Sequence, residues 1–128
     1  MPHRHHVLLV EDHDEVREAL EMSLQVLGVL VSAVDNARDA LALLRKGLGC
    51  CVILLDWRMP EMDGEGFLRA RMEDAPLVGT PVVAVTGDGL RPERAMKLGI
   101  REVVRKPVDP AAVLAAVARH CAKGDESD

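Results

Sequence analysis

At 128 residues, with 48% hydrophobic and 29% charged residues, the chain is sized for one domain whose core needs no metal or disulfide staple. No apolar run approaches the roughly 18–20 residues of a membrane span, and the opening MPHRHHVLLVED passes from a short apolar stretch straight into acid, unlike a secretion signal; a soluble, cytoplasmic protein is expected. A net charge of -5 and a pI near 5.5 argue against nucleic-acid binding, which rests on phosphate neutralisation by a basic surface.

The first apolar run, Val7 to Val10, is followed by a helical pattern over His13 to Leu27, with Val16, Leu20, Leu24 and Leu27 on one face and Glu15, Arg17, Glu18 and Glu21 on others. A second β-branched run covers Val29 to Val34. Asn36 then offers an N-cap with Asp39 three residues on, and the helix it starts carries Ala40, Leu41, Leu43 and Leu44 and stops at Lys46-Gly47. Cys51 to Leu55 is the third run, followed by a helix from about Gly64 to Glu73 with Phe67, Leu68 and Met72 as its apolar side. Pro81 to Val85 and Arg101 to Val104 read as strands on either side of a short helix from Pro92 to Leu98. The last helix takes Asp109 as N-cap and Pro110 as its first residue, and buries Val113, Leu114, Val117 and Cys121; the tail from Gly124 to Asp128 is expected to be disordered.

Strands of this kind suit a sheet buried on both faces, and their alternation with helices predicts an α/β fold, a doubly wound (βα)5 sandwich with a five-stranded parallel sheet. The single domain spans 1–128, with a core from about 6 to 122. Three cysteines, two of them adjacent, give no disulfide framework and are read as reduced thiols used as small core residues. His3, His5 and His6 are read as a flexible N-terminal segment rather than a metal site.

In doubly wound sheets, sites lie beyond the carboxyl ends of the strands. There the sequence places Glu11-Asp12, Asp56, Thr86 and Lys106-Pro107. Three carboxylates packed together repel one another and lose solvation, so a positive partner is required. A hard divalent cation bound through oxygen is the simplest one; Mg²⁺ suits a site with few protein ligands, and Lys106 adds a second, mobile charge. A cation would shield Asp56 from an incoming phosphoryl group, which makes Asp56 a candidate nucleophile for phosphoryl transfer. The bland alternatives are solvated acids and caps: His13 and Asp14 follow Asp12 directly, so Asp12 could cap the first helix.

The segments VLLVED, LLDWRMPEMDG, PVVAVTG and VVRKP, in that order, resemble the receiver domains of two-component response regulators, the chemotaxis-regulator-like family, from about His6 to Cys121. The resemblance implies the flavodoxin-like strand order 2-1-3-4-5. It implies Asp56 as phosphoacceptor, with a histidine kinase or a histidine phosphotransfer protein as donor. Mg²⁺ would be held by Asp12 and Asp56, by Glu11 mostly through water, and by the backbone carbonyl of Arg58. Thr86 would bond a phosphoryl oxygen, Lys106 would pair with it, and Pro107 would follow a cis peptide. A downstream protein target is implied and a homodimer is a further expectation, but the family's usual contact face of fourth helix, fifth strand and fifth helix is not carried over, because the segment at the start of the fourth helix is short; direct nucleic-acid or membrane binding is not expected. Pro60 and Gly64 are read as shaping the turn after the third strand.

Two departures stand out. The family usually has an aromatic residue three positions before the lysine, where this chain has Val103, and the segment from Thr86 to Gly99 is short, with Gly87 and Gly89 suggesting a mobile loop. The leading reading is a phosphorelay receiver, not an enzyme acting on a separate substrate, although it would promote its own phosphorylation and dephosphorylation. A degenerate receiver acting as a phosphate-independent protein-binding module is the alternative. A haloacid-dehalogenase-like phosphatase fits poorly, because the general acid expected two residues after the nucleophile is replaced by Arg58.

Overall fold

The computed structural model describes residues 5–59, 61–74, 79–87 and 90–125. Five strands, β1 (His6–Val10), β2 (Leu30–Val34), β3 (Val52–Asp56), β4 (Val82–Thr86) and β5 (Glu102–Arg105), alternate with five helices, α1 (Asp14–Val26), α2 (Ala37–Arg45), α3 (Gly64–Met72), α4 (Pro92–Lys97) and α5 (Pro110–Asp125). All strand pairs are parallel and the order is β2-β1-β3-β4-β5, as expected. β1 and β3 are therefore central neighbours, Val10 lies opposite Leu55, and the residues that follow them emerge side by side on one rim.

The period of two along each strand explains the layers. Val7, Leu9, Val52, Leu54, Val83 and Val85 point to one face and pack with Leu20 and Leu24 of α1 and Val113, Ala116 and Val117 of α5. Leu8, Val10, Ile53, Leu55, Val82 and Ala84 point to the other and meet Ala40, Leu41 and Leu44 of α2, Phe67 and Leu68 of α3 and Ala95 of α4. β3 and β4 are buried along their whole length. β2 is not: it is an edge strand with Leu30 exposed and the rest half-buried, so the expectation of burial on both faces holds only for the central strands. Two residues assigned to apolar helix faces are also outside the core. Leu27 lies past the end of α1, and Met72, the last residue of α3, is 67% exposed.

Helix ends follow local chemistry. The Asn36 side chain accepts the Asp39 N–H at 2.7 Å, Asp63 accepts that of Gly66 at 2.9 Å, and Asp109 accepts that of Ala111 at 3.0 Å. Gly28, Gly47 and Gly99 take φ of 90°, 92° and 83° where α1, α2 and α4 hand over to the next segment, a left-handed turn that glycine makes without a Cβ penalty. α5 continues to Asp125, so Gly124 and Asp125 belong to the helix rather than to a tail; residues 126–128 lie outside the described residues.

The cysteine reading is corrected. Cys51 and Cys121 form a disulfide between the start of β3 and α5, while Cys50 is a free thiol that packs on the opposite core and is pushed up to about 11 by burial. The cause is tertiary: the packing of α5 on the sheet sets the two Cα atoms 4.8 Å apart, within the range a bridge can close. Sequence separation gave no sign of it.

Candidate functional site

The strand order delivers the predicted rim. Glu11 follows β1, Asp56 ends β3, Thr86 ends β4, and all three are buried although polar. Lys106 follows β5. Its backbone N–H donates to the Thr86 carbonyl at 2.9 Å, which ties the lysine to the end of β4, and its peptide bond to Pro107 is cis. From this anchor Nζ reaches Asp56 Oδ1 at 3.3 Å and Glu11 Oε1 at 3.4 Å. A cation thus bridges carboxylates from the two central strands.

Each carboxylate is held further. Asp56 Oδ1 also accepts the Arg58 N–H at 3.4 Å, a long contact, and Glu11 Oε2 accepts the His13 N–H at 3.1 Å. Arg17, one turn into α1, donates to the Glu11 carbonyl at 3.1 Å and to Asp14 at 2.8 Å. Asp12 does not cap α1, because the N-cap is His13. Its Oδ1 is instead buried without a hydrogen-bond partner among the described residues. The Arg58 side chain is exposed and Thr86 is buried.

Electrostatically the site is overloaded with negative charge. Burial, then the neighbouring Asp12 and Glu11 carboxylates, push the Asp56 carboxyl up to about 7, and the opposing Lys106 does not cancel them. The Lys106 ammonium loses solvation, yet Glu11 and Asp56 outweigh that loss and hold it above its ordinary range. One ligand atom from each of Glu11, Asp12 and His13 falls within 4.8 Å of the others. A buried carboxylate oxygen lacking a partner, beside a carboxyl forced toward its neutral form, fits a hard divalent cation, since every donor from Glu11, Asp12 and Asp56 is oxygen.

Two neighbours gain roles that the sequence did not disclose. Trp57 lies half-buried against the start of α3: a Cβ on Gly64 would come within 2.8 Å of Trp57 Cζ3 and closer still to Cε3. Gly64 N–H also donates to the Trp57 carbonyl at 3.0 Å. Glycine is therefore required at 64 by the indole rather than only by a turn; Pro60 lies outside the described residues. Val103, in place of the family's aromatic, pairs with Ala84 and packs against the α2–α4 core. α4 is short, at six residues; Gly89 lies outside the described residues.

Beside Lys106 runs an apolar groove of about 270 Å³ between α1 and the segment leading into α5, lined by Val16, Ala19, Leu20, Pro107, Val108 and Pro110. A parallel five-stranded sheet in this order, with acids and a lysine gathered at its carboxyl rim, defines the receiver class of signalling domains.

Comparison with known proteins places the chain in that class by sequence. The family model described as the response regulator receiver domain matches residues 7–118, and the chain belongs to this family. The chain is 33% identical to the two-component response regulator ORR5 of Oryza sativa subsp. japonica, over 84% of this chain and 82% of that protein. It is 36% identical to protein-glutamate methylesterase/protein-glutamine glutaminase 2 of Cereibacter sphaeroides, over 81% of this chain but 29% of that protein. Among solved structures, chemotaxis protein CheY4 of Vibrio cholerae aligns with a TM-score of 0.82 at 30% identity, covering 92% of this chain and 99% of that one. Among the described residues, no helix is long and apolar enough to cross a membrane.

Proposed function

We propose that this receiver domain accepts a phosphoryl group on Asp56 from a phosphohistidine donor and thereby switches or relays a two-component signal. The observation that carries the reading is Asp56 itself: a buried carboxylate at the end of a central strand, held at Oδ1 by Lys106 and by the Arg58 N–H. These two contacts fix the rotation of the carboxylate. In the transfer, an Asp56 carboxylate oxygen forms a bond to phosphorus as the bond between phosphorus and the donor's imidazole nitrogen breaks; with the other ring nitrogen of the phosphohistidine protonated, the imidazole leaves neutral and Asp56 becomes an acyl phosphate.

Asp12, Glu11, Asp56 and the Arg58 carbonyl would hold Mg²⁺. When bound, Mg²⁺ supplies charge neutralisation for the anionic phosphoryl oxygens. Lys106, already 3.3 Å from Asp56, would shift its contact to a phosphoryl oxygen, and the Thr86 hydroxyl at the end of β4 would donate to another. The apolar groove beside Lys106 supports docking of a histidine kinase or histidine phosphotransfer protein there, because it would set the donor next to Asp56. Val103 carries no hydroxyl, so output does not run through a tyrosine at that position. Where the chain spans less than a third of a relative, as with the methylesterase, that protein's catalysis is not carried over.

The test uses Trp57, the sole tryptophan and the residue next to Asp56. Mg²⁺ and then beryllofluoride, an acyl-phosphate mimic, should each give a saturable change in its fluorescence, the second dependent on the first. Asp56→Asn should abolish the beryllofluoride step. An equal beryllofluoride response in the variant would refute the assignment.

A further inference from the structure

A second cluster of ligating side chains lies at the end of the sheet opposite the carboxylates. His5 precedes β1, Cys51 precedes β3 and Cys121 sits in α5, and one ligand atom from each lies within 4.8 Å of the other two. The sheet builds this placement. The Cys51 N–H donates to the His6 carbonyl at 2.8 Å and the Leu30 N–H to the His5 carbonyl at 2.9 Å, so the segments carrying Cys51 and His5 are fixed independently of any ligand. Cys121 is wholly buried in the α1/α5 layer, whereas Cys51 and His5 are half-buried and give a path from solvent. Cys50 packs on the other face of the sheet and is excluded.

Two sulfurs and an imidazole are the donor set of Zn²⁺ and similar thiophilic cations. With metal–sulfur and metal–nitrogen bonds of about 2.3 and 2.0 Å, a tetrahedral centre needs ligand atoms about 3.5–3.8 Å apart. In the oxidised structure the two sulfurs are bonded and the His5 ring lies within 4.8 Å of them, so breaking the bridge and a small side-chain rotation bring the three donors to that spacing.

We propose that His5, Cys51 and Cys121 form a redox-gated site for a thiophilic divalent cation such as Zn²⁺, bound by the reduced pair and released when the sulfurs join as the disulfide. On binding, the two thiols lose two protons to solvent as two metal–sulfur bonds form. On oxidation those bonds break, the Cys51–Cys121 bond forms, and two electrons pass to a low-molecular-weight disulfide, which takes up two protons and becomes two thiols. The metal leaves as the divalent cation. With three protein ligands, the fourth position is open to water or to a ligand from outside.

The experiment titrates Co²⁺, as a spectroscopic probe, into the reduced, metal-stripped full chain, followed by competition with Zn²⁺. The expected result is one equivalent bound at the cysteines, with thiolate-to-cobalt charge-transfer absorption and tetrahedral d–d bands that Zn²⁺ bleaches, distinct from cobalt held without such bands by the carboxylates at the other end of the sheet; the oxidised chain shows neither band until reductant is added. Cys51→Ser and Cys121→Ser lose the charge-transfer bands, Cys50→Ser keeps them, and His5→Ala weakens binding. Far-UV circular dichroism reports whether the serine variants fold; should they not, the oxidised/reduced comparison together with Cys50→Ser and His5→Ala decides. A reduced, folded chain that shows no charge-transfer bands at saturating cobalt, or an oxidised chain that shows the same bands as the reduced one, would overturn the proposal.

Discussion

Replacing Asp56 by asparagine should stabilise the protein in the absence of divalent cations, and only above acidic pH. The fold raises the Asp56 carboxyl from an ordinary 3.8 to about 7, so between those values the folded chain keeps a proton that the unfolded chain has released. The unfolded state then binds fewer protons, and stability falls as pH rises through this window before levelling off above about 7. At about 1.4 kcal/mol per pH unit the full displacement is worth ~4 kcal/mol. Lys106, in contact with Asp56 and 29% exposed, lets solvent screen the charge, which reduces this to on the order of 2 kcal/mol. Asparagine removes the charge and hence the cost. Urea unfolding in EDTA should show the variant and wild type equal near pH 4 and the variant ~2 kcal/mol more stable at pH 8, a rise in Tm of roughly 6–10 °C for a chain of this size. Mg²⁺ at ten times its Kd should return about 1.4 kcal/mol to the wild type and nothing comparable to the variant. A difference that does not change with pH, or a variant less stable at pH 8, would refute the electrostatic reasoning.

Three further outcomes follow from the same contacts. Lys106→Ala leaves Glu11 and Asp56 without their bridging cation; given the lysine's partial exposure, a loss of about 1–2 kcal/mol at pH 8 is expected, shrinking toward pH 4 as Asp56 takes up its proton, and urea melts across pH measure it. Gly64→Ala drives a methyl into the Trp57 ring and should cost ~1–3 kcal/mol with a shift in Trp57 emission; an unchanged spectrum and melting point would show that the indole is not packed there. Reduction of the Cys51–Cys121 bridge, which joins residues 70 apart in sequence, should lower stability by about 2–4 kcal/mol, read as a drop in Tm on adding reductant that Cys51→Ser no longer shows.

What the sequence disclosed and what it hid divide along physical lines. Strands and helices were legible because period-two and helical patterns are local, and the rim residues because a doubly wound sheet places strand ends together whatever its details. Glu11, Asp12, Asp56, Thr86 and Lys106 could thus be named before their geometry was known. The disulfide was hidden because Cys51 and Cys121 meet only through the packing of α5 on the sheet. The exposure of Leu30 and Met72 was hidden because an apolar residue says nothing of whether it falls on an edge strand or a helix end. Gly64 looked like turn chemistry, whereas the indole of Trp57 sets its size limit. Arg17 carried a usable signal, since a residue one turn into α1 can reach back over the helix start to the end of β1.

The most direct test of the central claim is to incubate the protein with a small-molecule phosphodonor, such as phosphoramidate, with and without Mg²⁺, and to map the modified residue by mass spectrometry after borohydride trapping of the acyl phosphate. One phosphoryl group per chain is expected, dependent on Mg²⁺, with the trapped product at Asp56 and none in Asp56→Asn. Undiminished labelling of that variant, or no labelling of a folded wild type that binds Mg²⁺, would contradict it.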